Sequence, residues 1–315
     1  MKILITGGAG FIGSNIVDGY IKEGHNVIVV DNLNTGRLEN VNHAAKFYET
    51  DVRSKELGKI FDIERPEIVN HHAAQISVCT SIENPEFDAD VNIIGLINVL
   101  QCSIKYDIKK IIFASSGGAV YGNAEEYPTS ENYQPIPLSP YAIAKLASEH
   151  YLEFYKYQYG LAYTVLRYAN IYGPRQMSNG EAGVVAIFLN NLMSGKTSVI
   201  YHFPENLDGM ERDYCYVGDV VNANIYALGK GSGAIFNIGT GKPTKTIELY
   251  NMLYELTNSS NLLLKNPAYA PARPGDVRRS CLNAQKAEKI LGWIPKYSLR
   301  AGLQKTAEWY SNNKL

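Results

Sequence analysis

Tyr141 and Lys145 stand four residues apart, directly after Ser139-Pro140. On a helix that spacing puts both side chains on one face. An ammonium beside a phenol favours the phenolate. A tyrosine whose ordinary pKa is about 10 then becomes a base usable near neutrality. A second chemical signal opens the chain, where the apolar run Lys2-Ile3-Leu4-Ile5-Thr6 enters Gly7-Gly8-Ala9-Gly10-Phe11-Ile12-Gly13. Gly8, Gly10 and Gly13 fit G-x-G-x-x-G, and Gly7, Gly10 and Gly13 fit G-x-x-G-x-x-G. After a strand and before a helix, such a turn lets the backbone approach a pyrophosphate, and the helix N-terminus supplies amides. Together the signals point to a bound dinucleotide beside a proton-transfer pair, the equipment for moving a hydride.

Other residues extend this reading. Asp31 closes the second apolar run. A carboxylate there suits ribose hydroxyls and repels a 2′-phosphate, which favours NAD over NADP. Arg37 lies near enough in sequence to soften that preference. Asp51, followed by Val52, either meets the adenine or caps a helix. His71 and His72 are neighbours on a strand and face opposite ways, so they pack or hydrogen-bond rather than share a metal. The small Ala73 and Ala74 let a cofactor lie against the backbone. Ser115 and Ser116 end another apolar run. Either hydroxyl bridges Tyr141 and a substrate hydroxyl, or satisfies strand-end backbone groups.

These residues need elements to position them. Apolar runs at 2–6, 26–30, 67–71, 110–114 and 162–168 predict buried strands, with a shorter one at 46–50. Helical patterns lie between them at 12–23, 54–63, 85–106 and 141–158. Strand-helix alternation of this kind predicts an α/β fold, a doubly wound parallel Rossmann sheet. Ser139 and Pro140 start the helix that carries Tyr141, and Gly160 ends it. Helices at 184–194 and 219–229 and a strand at 234–238 follow. The tail, with Pro267, Pro271, Pro274 and Pro295, reads as a smaller C-terminal α/β substrate lobe. The expected division is residues 1–169 plus a returning segment 213–240 for the dinucleotide, and 170–212 with 241–315 for the substrate.

Composition narrows the partners. Of 315 residues 19% are charged, the net charge is −1, and no basic block stands out, so nucleic acid is not an expected partner. The four cysteines form no C-x-x-C pair, which argues against a zinc knuckle or disulfide framework and suits a reducing compartment. No leader precedes the strand at residue 2, and apolar stretches such as Ile93 to Leu100 are too short to span a bilayer. A soluble, cytoplasmic protein is expected. The 23 tyrosines suit core and interface packing.

A longer series of motifs runs through the chain in order. It comprises Thr6 to Gly13, Asp31-Asn32-Leu33, His71 to Ala74, Val91-Asn92, Ser115 to Gly122, Tyr141 to Lys145 and Leu166 to Arg175. It continues with Arg212-Asp213-Tyr214, Asp219-Val220-Val221, Phe236 to Gly241, Arg273-Pro274-Gly275-Asp276 and Leu291-Gly292-Trp293. Nearly end to end, this resembles the extended branch of the short-chain dehydrogenase/reductase family, and within it the UDP-glucose 4-epimerases. The resemblance implies NAD as cofactor, held by Gly7, Gly10, Phe11, Ile12, Asp31, Asn32, Asp51, Val52, Ala73, Asn92, Ser115, Tyr141, Lys145 and Tyr168. It implies Tyr141 as base, Lys145 as its electrostatic partner and a bridging serine, of which Ser116 is favoured. It places Asn170, Arg212, Arg273 and Asp276 at the nucleotide diphosphate and its ribose, and Ser116, Tyr141 and Ser280 at the sugar. Arginine forks suit phosphate oxygens, and a carboxylate suits vicinal hydroxyls.

The same resemblance narrows the reaction. The group's dehydratases and decarboxylases place acidic residues after the strand-end hydroxyl. Here the segment is Ser116-Gly117-Gly118-Ala119-Val120-Tyr121, with no acid, which leaves epimerisation. Ser280 stands where a bulky tyrosine restricts relatives to plain hexoses, so UDP-GlcNAc and UDP-GalNAc come within range. The stretch Tyr201 to Glu211 is longer than the family's usual loop there and bears on the choice of base. A UDP-glucuronate epimerase, an epimerase of another nucleotide sugar and a non-catalytic NAD sensor are the alternatives. A homodimer is implied, joined through the helices at 85–106 and 141–158.

Overall fold

The computed structural model describes residues 1–177, 183–257, 262–273 and 275–313; Pro274 of the Arg273-to-Asp276 motif lies outside them. Along the chain come β1 (Lys2–Thr6), α1 (Phe11–Lys22), β2 (Asn26–Asp31), β3 (Lys46–Glu49), α2 (Glu56–Glu64) and β4 (Ile68–His71). Next are α3 (Val78–Glu83), α4 (Pro85–Ala89) and α5 (Gly95–Lys105), then β5 (Lys110–Ser116), α6 (Gly117–Val120), α7 (Pro140–Tyr159) and β6 (Ala162–Tyr168). The chain crosses into a smaller lobe with β7 (Asn170–Tyr172), α8 (Val184–Met193), β8 (Val199–His202) and β9 (Glu211–Tyr216). It returns with α9 (Val217–Gly229) and β10 (Ala234–Ile238). The elements β11 (Pro243–Lys245), α10 (Thr246–Leu256), β12 (Ala268–Pro271), β13 (Arg279–Ser280) and α11 (Leu299–Asn312) complete the small lobe.

The large sheet has seven parallel strands in the order β10-β6-β5-β4-β1-β2-β3. Its strands are apolar on both sides because both faces are covered. Ile3, Ile5, Val27, Val29 and Ile112 pack with residues of α1 and α9. Their neighbours Leu4, Ile28, Val30, Ile111 and Phe113 pack with α2, α5 and α7. The strand order reverses between β1 and β4, which is where doubly wound sheets bind ligands.

In the small lobe β9 pairs with β7, β11 and β13, while β8 and β12 form a separate parallel pair. The expected start of the segment returning to the dinucleotide domain, residue 213, falls inside β9, where Asp213 pairs with Pro243. The chain rejoins the large lobe only with α9. The polar Glu211-Arg212-Asp213 start of β9 hid a strand whose last four residues are buried.

The helix expected over 85–106 is broken by register. One π-helical turn, Asp90–Ile94, joins α4 to α5. Over Pro85–Lys105 this 21-residue helix is long and apolar enough to cross a membrane, which the shorter run read from the sequence was not. About half of it, 44% of its most apolar window, is buried inside the fold. Asp88 and Asn92 are buried too, so this helix packs as one layer of the large lobe.

Candidate active site

A cavity of about 500 Å³ opens at the carboxyl ends of the central strands. Its floor begins at the glycine turn. Gly7 has φ +70°, and a Cβ there would lie 2.6 Å from the backbone nitrogen of Ala73. A Cβ on Gly13 would lie 2.1 Å from the Gly7 carbonyl oxygen. The turn therefore closes β1, α1 and the segment after β4 onto one another through backbone alone. No side chain caps α1, so its first-turn amides remain available to an anion.

Asp31 pins this turn to the end of β2. Its carboxylate accepts from the amides of Ala9 and Leu33, each at 2.9 Å, and lines the cavity. Burial raises its pKa, and the two amides oppose that rise. Arg37 pairs with exposed Glu39 at 2.9 Å and is not among the cavity-lining residues, so Arg37 does not soften the preference set by Asp31. Asp51 accepts from Asn32 at 2.9 Å and from Nε and Nη2 of Arg53 at 2.8 and 2.7 Å. Arg53 holds its carboxyl well below the usual range. The helix after it starts at Glu56 with Lys55 in the cap position, so Asp51 is a wall of the cavity and not a helix cap. Arg53 also reaches Asp90 at 2.6 Å. No sequence motif announces this arginine, because its second partner, Asp90, lies 37 residues away.

Of the fourteen residues read as holding the cofactor, Asn92 alone is missing from the lining. It sits behind the wall, where its amide accepts from the Gln75 nitrogen and donates to the Gln75 oxygen, each at 2.9 Å. His71 and His72 are hydrogen-bonded, as their opposed directions require. His71 Nδ1 meets Thr6 Oγ1 at 2.7 Å, and His72 Nε2 meets the Tyr168 hydroxyl at 3.0 Å. Burial pulls both down to about 3, so both are neutral.

At the inner end of the cavity, α7 presents Tyr141 and Lys145. Ser139 caps α7 by accepting from the Ala142 amide at 3.2 Å, Pro140 takes the first turn, and Gly160 closes it at φ +72°. Lys145 Nζ donates to the Ala114 carbonyl at 2.9 Å and lies 5.8 Å from the Tyr141 ring centre. Burial pushes its pKa down to about 8, while the carboxylates of Asp88 and Glu149 hold it up. The two serines separate cleanly. Ser115 donates to Glu149 at 2.6 Å, and Glu149 is bound by both Nε and Nη2 of Arg167 at 2.9 and 2.5 Å. Ser115 Oγ is thus committed to a buried ion pair. Ser116 faces the small lobe.

Gly118 shows where that face leads. A Cβ built on it would lie 3.5 Å from Asn170 Oδ1 and 3.9 Å from both Ser116 Oγ and Ser280 Oγ. Three expected substrate residues therefore meet around one glycine. Asn170 Oδ1 is buried without a hydrogen-bond partner among the described residues. Ser280 is the register partner of Arg212 on β9. Arg212 spends its guanidinium on the carbonyls of Glu211, Val277 and Arg278, at 2.9, 2.6 and 3.3 Å, so it orders this strand edge. Arg273 lies over the Tyr201 ring at 4.7 Å and pairs with Asp276 at 3.3 Å. The long 201–211 stretch is held down by ion pairs of Glu205 with Arg278 at 2.8 Å and Asp208 with Lys245 at 2.6 Å.

Residues 3–239 match the profile of the NAD-dependent epimerase/dehydratase family. The chain belongs to this family. Solved structures agree along its whole length. A UDP-glucose 4-epimerase of Thermotoga maritima with UDP-glucose is 50% identical, with 99% of each chain covered and a TM-score of 0.95. A Thermus thermophilus UDP-glucose 4-epimerase in complex with NAD is 42% identical, again with 99% of each chain covered and a TM-score of 0.93. A UDP-N-acetylglucosamine 4-epimerase of Methanobrevibacter ruminantium is 31% identical, with 99% and 98% covered and a TM-score of 0.91. Membership accounts for the cavity at the strand switch point and for the tyrosine-lysine pair beside it.

Proposed function

We propose that this chain is an NAD-dependent UDP-hexose 4-epimerase that interconverts UDP-glucose and UDP-galactose. The observation that carries the proposal is one cavity with a glycine-and-aspartate cradle at one end and Tyr141 with Lys145 at the other. NAD fits that cradle: backbone alone fits under Gly7, and the Asp31 carboxylate, with no ion pair to an arginine among the described residues, suits free ribose hydroxyls. Gly7, Gly10, Asp31 and Asp51 would hold NAD here, and it would supply the acceptor and donor of the hydride exchanged at the sugar C4.

The chain's own residues do the rest. Tyr141 takes the proton of the 4-hydroxyl as phenolate and gives it back after the sugar has turned. Lys145 stabilises that phenolate by charge. Ser116, free of the Glu149 network, supplies the hydroxyl between Tyr141 and the substrate. Asn170 Oδ1, buried and unmet, accepts from the ligand. Arg273 exchanges Asp276 for the diphosphate. Their exposed pair contributes at most about 1 kcal/mol, whereas hydrogen bonds to charged groups contribute about 1.5–3 kcal/mol. Asp276, so released, meets the ribose.

A second reading is favoured by Ser280, whose small side chain beside Gly118 leaves room at the sugar. UDP-GlcNAc and UDP-GalNAc are then substrates as well, and Ser280→Tyr should remove that pair while sparing UDP-galactose. A homodimer is part of the proposal. Ile94, Ile143, Phe154 and Tyr157 expose apolar surface on the π turn and α7, Tyr157 at 88%. We assign residues 1–169 and 217–240 to the dinucleotide lobe and the remainder to the substrate lobe. The test is a panel of UDP-glucose, UDP-galactose, UDP-GlcNAc, UDP-glucuronate and non-uridine sugars followed by proton NMR. Conversion of UDP-galactose to UDP-glucose is expected, and no change in any member of the panel would overturn the proposal.

A further inference from the structure

Arg273 and Asp276 sit on a turn that the small lobe grips at both ends. The Ala272 amide donates to the His202 carbonyl at 2.8 Å, and the Val277 carbonyl accepts from Arg212 at 2.6 Å. Between those points the polar groups bond one another. The Asp276 amide donates to the Arg273 carbonyl at 3.1 Å, and the Asp276 carboxylate accepts from the Arg273 amide at 2.8 Å. Arg273 also lies over the Tyr201 ring of the same lobe. Among the described residues no hydrogen bond runs from Arg273, Gly275 or Asp276 to the large lobe. The first such bond is made by the Arg278 amide, to Asn123 Oδ1 at 3.2 Å. A turn closed on itself keeps its shape, but its place must come from its neighbours.

Gly275 shows where that place is. A Cβ built on it would lie 3.1 Å from Val78 Cγ1 and 3.1 Å from Ile82 Cδ1. The backbone of the substrate turn therefore rests in van der Waals contact with α3 of the large lobe. Val78 and Ile82 are four residues apart, so one face of α3 presents both. The helix under them is a firm support. Ser77 caps it by accepting from the Thr80 amide at 3.0 Å. Ahead of the cap, Asn92 holds both backbone groups of Gln75. The Gln75 side-chain amide donates to the Ser77 carbonyl at 2.9 Å and to buried Asp88 at 2.7 Å. Gln75, Ile76 and Thr80 line the cavity. One short segment thus forms cavity wall with some side chains and carries the substrate turn with others.

We infer that Val78 and Ile82 are positioning residues: they form an aliphatic seat on α3 that fixes the turn carrying Arg273 and Asp276 against the large lobe, with both side chains set for a nucleotide diphosphate. They act through the turn. The inference rests on the proposed epimerase reading and adds to it what holds the substrate anchor in place.

The test uses NAD-loaded protein and UDP as the probe. Ile82→Ala should weaken UDP binding, read by calorimetry, about fivefold, the scale of one methylene taken out of contact. KM for UDP-galactose should rise by the same factor with kcat unchanged. Ile82→Leu keeps the volume and should restore most of the affinity. In an Arg273→Ala background the loss caused by Ile82→Ala should largely vanish, because changes that act through one group do not add. Amide exchange in the peptide containing Asp276, measured without UDP, should be faster in Ile82→Ala than in wild type. Should Ile82→Ala fail to fold, Val78→Ala is read in the same way. Unchanged UDP affinity or unchanged exchange in a folded variant overturns the inference, as does a loss of equal size with and without Arg273. A wild type that neither binds UDP nor converts any sugar overturns the epimerase reading instead, and the exchange measurement then decides whether the seat holds the turn.

Discussion

The two ends of the site are built differently. In the large lobe the acids at the cavity have protein partners, although His72 Nδ1 is buried and unmet among the described residues: Asp31 holds two amides, Asp51 holds Arg53 and Asn32, and Ser115, Glu149 and Arg167 form a closed buried set. In the small lobe Asn170 Oδ1 is buried and unmet among the described residues, and Arg273, its side chain 52% exposed, lies over the Tyr201 ring and makes a long pair with Asp276. On the proposed reading, the cofactor end is ordered by the protein's own bonds, whereas the substrate end offers the Asn170 acceptor and the Arg273 guanidinium to a ligand. The difference suits a cofactor that stays through each cycle and a nucleotide sugar that must enter and leave.

Changes at the two ends should therefore read out differently. Tyr141→Phe should lower turnover by about 10²–10⁴-fold, the range of a general base, while the protein keeps its NAD. Rates and cofactor content measured on the same sample would check this. Gly7→Val should affect both cofactor and fold, since φ +70° and a Cβ 2.6 Å from the Ala73 nitrogen leave no room. Strain of about 1–3 kcal/mol before any clash predicts a lower Tm and loss of bound NAD. Arg273→Ala should raise KM by about tenfold or more with kcat and Tm nearly unchanged, as loss of uniform binding does. A fall in Tm as large as that of Gly7→Val would erase the contrast between the two ends.

The smallest expected effect is on acid stability. His71 and His72 stay neutral in the fold, with pKa pulled down to about 3. The unfolded chain protonates histidine below about pH 6.5, so it binds more protons than the fold there. Their contribution to stability is complete above that pH and is lost as the pH falls toward 3. His71→Gln should make urea midpoints less sensitive to pH between about 7 and 5, where histidine in an unfolded chain titrates.

Much of this architecture could be read from residue order. Strands apolar on both faces announced the parallel sheet, and Ser139, Pro140 and Gly160 bounded α7 within a residue of the observed helix. The cavity lining was visible where backbone or strand ends carry it, as at Gly7, Asp31 and Ala73. What stayed hidden depends on tertiary neighbours. Arg53 bridges its neighbour Asp51 to Asp90, 37 residues further along the chain than Arg53 itself. Glu149 left only a faint sign, an acid on the same helix face as Tyr141 and Lys145. Asn92 matched a motif but holds the wall from behind, and residue spacing does not tell facing from backing. The start of β9 was missed because its first three residues are polar.

The most direct test of the account follows the hydrogen on C4. UDP-galactose carrying deuterium at C4 is incubated with NAD-loaded wild type in ordinary water, and the product is read by NMR. The account predicts UDP-glucose with deuterium still on C4, because the hydride taken from C4 is the one returned to it. UDP-glucose whose C4 deuterium has been replaced from solvent, or no UDP-glucose at all, would contradict it.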